Sequence, residues 1–152
     1  DIDKWYMSGT ESSSGNVDTI SNFVFGEGTD IFDLTALDAF EGTTTEAVKV
    51  LTSFSDGGAS NDNILALNTG HYHANAAALL ANMGSGDSTI GATVSASNVK
   101  VVVAYQTESA SNIRLATATL HSTGGFTAVT DIAILSGNTD LTALNKDNFV
   151  LD

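Results

Sequence analysis

Val99-Lys100-Val101-Val102-Val103-Ala104-Tyr105-Gln106, followed after a short polar break by Asn112-Ile113-Arg114-Leu115-Ala116-Thr117-Ala118-Thr119-Leu120, decides the fold class. The first stretch is apolar and β-branched, as in a central strand covered on both faces. The second sets Ile113, Leu115, Ala116, Ala118 and Leu120 against Arg114, Thr117 and Thr119, an approximate period of two. Glu108 to Ser111 and Ser122 to Gly125 supply hairpin-like turns. Working outward, Lys4 to Met7, Asp18 to Phe25, Ile31 to Leu34, Asn63 to Asn68, Asp131 to Leu135 and Phe149 to Leu151 read as further short strands. Ala47 to Phe54 suits a strand or a helix, and periodicity alone does not separate them. One Ala-rich helix is expected at about residues 73–83, ended by Gly84-Ser85-Gly86. The expected class is mainly β, with β-roll cap or sandwich-like strands and that single helix.

Composition narrows the partners. Five Lys and Arg face eighteen Asp and Glu, for a formal charge of -13 in 152 residues. Nucleic acid and anionic membrane surfaces both reward clustered Lys and Arg, so neither is an expected partner. Bound cations would relieve the self-repulsion that such a charge imposes on the compact state. Cysteine is absent, so disulfides and thiol catalysis are excluded, and calcium is the alternative stabiliser expected of a secreted domain. Proline is absent too, so no prolyl isomerisation slows folding. No run reaches the roughly 18 apolar residues of a membrane-spanning helix, and membrane insertion is not expected. The opening Asp1-Ile2-Asp3-Lys4-Trp5 lacks the basic region and apolar core of a Sec signal peptide. One internal echo occurs: Asp33-Leu34-Thr35-Ala36-Leu37-Asp38 recurs as Asp140-Leu141-Thr142-Ala143-Leu144-Asn145, by chance or by common structural use.

Residues 3–37 carry a resemblance. Asp3-Lys4-Trp5-Tyr6-Met7 is an Asp-led aromatic strand, Ser8 to Asn16 a Ser/Gly-rich loop, and Asp18-Thr19-Ile20-Ser21-Asn22-Phe23 an Asp-x-Ile motif. Gly26 to Gly28 then turns the chain into Asp30-Ile31-Phe32-Asp33-Leu34. This order resembles the segment that closes an RTX β-roll in serralysin-type proteases and RTX surface-layer proteins. Asn22 stands where that family usually has a second Asp, and Phe32 changes the spacing of Asp30 and Asp33. No Gly-Gly-x-Gly-x-Asp nonapeptide is present, so the resemblance places such repeats before Asp1. The tail, Asp131 to Leu135 and then Leu141 to Leu144 and Asn148 to Leu151, is similar to the end of many large type I-secreted surface proteins.

The resemblance implies a β-roll-closing, calcium-binding segment at 1–37 and a β-rich C-terminal domain at 38–152. Asp3, Asn16, Asp18, Asp30 and Asp33 would hold calcium, and Asn148, Phe149, Val150, Leu151 and Asp152 would form the secretion signal. It also implies an extracellular location and the type I secretion machinery as partner. Calcium takes about six to eight oxygen ligands, several of them carboxylates presented by turns, and these residues come from neighbouring strands and turns. Equally, Asp and Asn routinely cap turns in solvent.

Other candidates are thinner. Asp56, Asn61 and Asp62 resemble half an EF-hand loop without its closing Glu. His71 and His73 would face one side on a strand and share zinc or copper, but would diverge at a helix start. No Gly-x-Ser-x-Gly, His-Glu-x-x-His or phosphate-cradling loop is present. The expectation is a non-catalytic, calcium-dependent folding and secretion domain. The alternatives are a self-assembling subunit of a surface layer or filament, and a glycan-binding module.

Overall fold

A computed structural model describes residues 2–7, 17–37, 47–52, 63–83, 99–107, 112–120, 125–137 and 140–151. Nine strands and one α-helix occur among them, so the fold is mainly β, with two sheets in a sandwich-like arrangement. The strands are β1 Lys4–Tyr6, β2 Asp18–Ser21, β3 Ile31–Asp33, β4 Val48–Leu51, β5 Ile64–Leu67, β6 Val99–Gln106, β7 Asn112–Leu120, β8 Phe126–Ser136 and β9 Phe149–Val150. The helix, α1, is Ala76–Met83. It starts later than the composition implies because Asn75 caps it, its side chain accepting from the Ala78 N–H at 2.9 Å.

The large sheet runs β2-β8-β7-β6-β5-β4, and the small sheet runs β1-β3-β9. All pairings in the small sheet are parallel; in the large sheet β6, β7 and β8 form an antiparallel meander flanked by parallel neighbours. Within the ambiguous 47–54 stretch, Val48–Leu51 is a strand, paired with β5 from Val48↔Ile64 to Leu51↔Leu67.

The buried run of β6 has a simple cause: both faces of the large sheet are covered. Ile64, Ala66, Val102, Ala104, Ile113 and Leu115 face the small sheet, where they meet Phe23, Phe32, Leu34 and Phe149. Leu65, Leu67, Val101, Val103 and Tyr105 face the other way, onto Leu79 and Met83 of α1. Fully buried side chains of this size contribute roughly 1.5–3 kcal/mol each. Residues 17–37 and 140–151 share the first of these cores, across the division expected at residue 37.

Candidate functional site: a latch between tail and first strands

Strand β3 lies between β1 and β9, so the small sheet is complete only when the tail strand meets the first strands. Phe32 pairs with Phe149 and Asp33 with Val150, and the Leu34 N–H donates to the Val150 carbonyl at 2.8 Å. Three aromatic rings stack across this seam: Phe23 to Phe32 at 4.5 Å and Phe32 to Phe149 at 6.3 Å between centroids. Leu141, Leu144 and Leu151 bury themselves beside them.

Asn148 fastens the seam. It has no solvent exposure, and it closes a reciprocal cap with Asn145 over the short 3-10 turn Lys146–Asn148. Its amide oxygen accepts from the Asn145 and Gly26 N–H groups, both at 3.0 Å. Its amide nitrogen is within donating distance of the Asp30 carbonyl at 2.8 Å, the Thr29 hydroxyl at 3.1 Å and the Gly26 carbonyl at 3.3 Å. The partner turn is shaped to present these groups: Asn22 leaves β2 at φ 64°, and Gly26 and Gly28 sit at φ 130° and 71°. Positive φ of that size favours Gly or Asn over other residues.

Asp30 ties the same turn to the N-terminal strand. It is buried, and its two carboxylate oxygens accept from the Asp3 N–H at 3.0 Å and the Val24 N–H at 2.9 Å. Asp33 accepts from the Thr35 N–H and hydroxyl at 3.2 and 2.7 Å, and its other oxygen lies 3.0 Å from the Lys4 ammonium. The Thr35 hydroxyl, with Lys4 and the Thr35 N–H, holds the Asp33 carboxyl below its ordinary range against the opposing effect of burial.

The described residues among those expected to hold calcium are spread over both sheets. Asp30 and Asp33 are engaged by protein donors, Asp3 is exposed, and Asp18 lies exposed on β2 in the other sheet. Asn16, Asp152 and the half-loop Asp56, Asn61 and Asp62 lie outside the described residues. No group of three His, Cys, Asp or Glu side chains at metal-binding range occurs among the described residues. His71 is exposed while His73 is buried on the helix side, its Nδ1 within 3.2 Å of the Asn82 side-chain nitrogen. What the structure does bring together is the two ends: Asp30 and Asp33 with Asn148, Phe149, Val150 and Leu151.

A second polar cluster, on the opposite face of the large sheet, escapes a sequence reading. Asp131 accepts from the Tyr105 hydroxyl at 2.5 Å, from Arg114 Nη1 at 2.8 Å and from the Ala76 N–H at 3.0 Å. A bulge aims it there: Leu115 pairs with Ala133 but Ala116 pairs with Asp131, so Ile132 is an extra residue and the phase of β8 reverses. Burial, then the bond to Asp131, pushes the Tyr105 hydroxyl far above its ordinary pKa. The sequence signal was there in outline: Arg114 and Asp131 are single charges set in apolar strands.

No helix among the described residues is long and apolar enough to cross a membrane. Comparison of the chain with protein-family models, characterised proteins and solved structures finds no match, so the functional reading rests on this geometry.

Proposed function

We propose that this chain is the non-catalytic terminal domain of a secreted, extracellular protein, whose last residues serve as a type I export address before folding and as the latch of the fold afterwards. The observation that supports it is the complete burial of Asn148 between Phe149 and the 24–30 turn. Phe149 and Leu151 are buried as well. Such a tail is open to a recognising machine only on an unfolded chain. Recognition and folding then exclude each other, and folding outside the cell makes export one-way. Calcium enters this reading as a counter-ion for the formal charge of -13, not as a ligand of Asp30 or Asp33.

The test is export of a reporter fused ahead of the chain, in cells carrying a type I exporter. Wild type and Asp33→Ala, which loosens the fold from outside the tail, should both reach the medium, the variant being degraded faster there. A Phe149→Ser, Leu151→Ser double variant should remain inside. Secretion of the double variant at the wild-type level defeats the proposal.

One observation favours a second reading, self-assembly into a surface layer or filament. Strand β1 is an edge strand, and Ile2, Tyr6 and Val24 expose 58, 69 and 53% of their surface. Sedimentation that is independent of concentration, in wild type and in Tyr6→Glu alike, removes it.

A further inference from the structure

The bond that Arg114 makes to Asp131 uses one end of its guanidinium. Nη1 points at the carboxylate, which leaves the side-on fork of Nε and Nη2. Nε is buried and has no hydrogen-bond partner. A desolvated donor without an acceptor is costly, and a guanidinium fork matches a carboxylate in shape and charge.

Arg114 lines a cleft of about 570 Å³ between α1 and strand β8. That lies within the roughly 300–1,000 Å³ of small-molecule sites. Its lining is mixed: Leu80 of the helix, Val129 and Ile134 of β8, and Val17 are apolar, while Asn75 and Thr130 are polar. Among the described residues Asp131 is the one carboxylate lining it, and it is already engaged by Tyr105, Arg114 and the Ala76 N–H. The Nε donor is therefore unmatched at the polar end, and Leu80, Val129, Ile134 and Val17 offer apolar surface beside it.

We propose that this cleft binds a small aliphatic carboxylate, its head on the Nε/Nη2 fork of Arg114 and its chain along Leu80, Val129 and Ile134. A cationic head would meet the guanidinium, and a neutral alcohol would supply only one weak acceptor. The site lies on the opposite face of the large sheet from the latch, so it stands or falls independently of the export reading.

Titration of the full chain with hexanoate, hexylammonium and hexanol, followed by amide NMR, tests it. Hexanoate should saturate and shift residues 76–80, 114 and 129–134, binding on the order of tenfold more tightly than hexanol, with hexylammonium inactive. Arg114→Lys keeps the charge but removes the fork, and should weaken hexanoate binding by a similar factor. Because that change also disturbs Asp131, Ala77→Phe supplies a second arm: Ala77 is an exposed helix residue lining the cleft, so a ring there fills the site with the fold intact by its unchanged melting temperature. It should abolish binding. Absence of saturable hexanoate binding at millimolar concentration, equal binding of hexanol, or unaltered binding by Ala77→Phe overturns the proposal.

Discussion

Asp33-Leu34-Thr35-Ala36-Leu37 and Asp140-Leu141-Thr142-Ala143-Leu144 share one sequence and one local device in two settings. In each, the Asp accepts from the backbone N–H and hydroxyl of the Thr two residues on, at 3.2 and 2.7 Å in the first copy and 2.9 and 2.5 Å in the second. Each leads into a 3-10 turn, Thr35–Leu37 and Leu141–Ala143. The surroundings differ. Asp33 is buried at the end of β3 with Lys4 across it, whereas Asp140 is exposed. The second copy, in turn, runs straight into the Asn145–Asn148 cap that grips the 24–30 turn. Sequence sets the turn; tertiary setting decides how much each part of it matters.

The largest effect should come from Asn148→Ala, which removes the grip that the second copy leads into. It strands the buried Asp30 carbonyl and the part-buried Gly26 and Asn145 N–H groups, at up to about 1–3 kcal/mol for each group left unsatisfied. A total on the order of 3–5 kcal/mol is expected in urea denaturation, a large part of the roughly 5–15 kcal/mol that holds a domain folded. A loss near zero would mean that the tail merely rests on the turn.

Asp33→Ala should come next, at roughly 1–3 kcal/mol, since it leaves the Thr35 N–H and hydroxyl without their acceptor. Equal losses from Asp33→Ala and Asp140→Ala would erase the distinction between the copies.

Acid separates the contributions further. Both carboxyls lie below their ordinary value of 3.8, chiefly through the Thr hydroxyls. A depressed carboxyl stabilises the fold above that value and loses its contribution as pH falls through it. His73 acts higher up the scale. Burial, and then the charge of His71, lowers it from 6.5, so its contribution is full above 6.5 and fades as pH falls below. Around it stand Tyr105, its ring 6.2 Å away, and Asn82. Stability measured across the acid range should fall in two stages; His73→Gln should flatten the upper one and Asp33→Asn the lower. A single stage in wild type would show that the two faces do not titrate separately. The smallest change should be Asp140→Ala, where water replaces the carboxylate; a shift in melting temperature matching that of Asp33→Ala contradicts this.

The strands with two covered faces were legible because their residues are uniformly apolar, as in Val101 to Tyr105. The echo was legible as a pattern, and its shared cap gives the physical reason. Asp30 and Asp33 were recognisable as special, but carboxylates that cap turns and carboxylates that bind calcium look alike until their donors are known. Asp131 was hidden for another reason: its direction depends on the bulge at Ile132, and a strict alternation would have turned it to the wrong face. Asn148 stood out only as part of a terminal segment, because its partners lie up to 124 residues away.

The single tryptophan of the chain lies in β1, half-buried against the core that closes over the tail. Its indole is a built-in optical probe of the small sheet, since the helix side of the large sheet carries Tyr105 but no indole. When β9 lets go, emission should move to longer wavelength while the far-ultraviolet circular dichroism of the six-stranded sheet persists. Rapid-mixing traces in the two channels will separate in time if the ends part first, and superimpose if both faces come apart as one body.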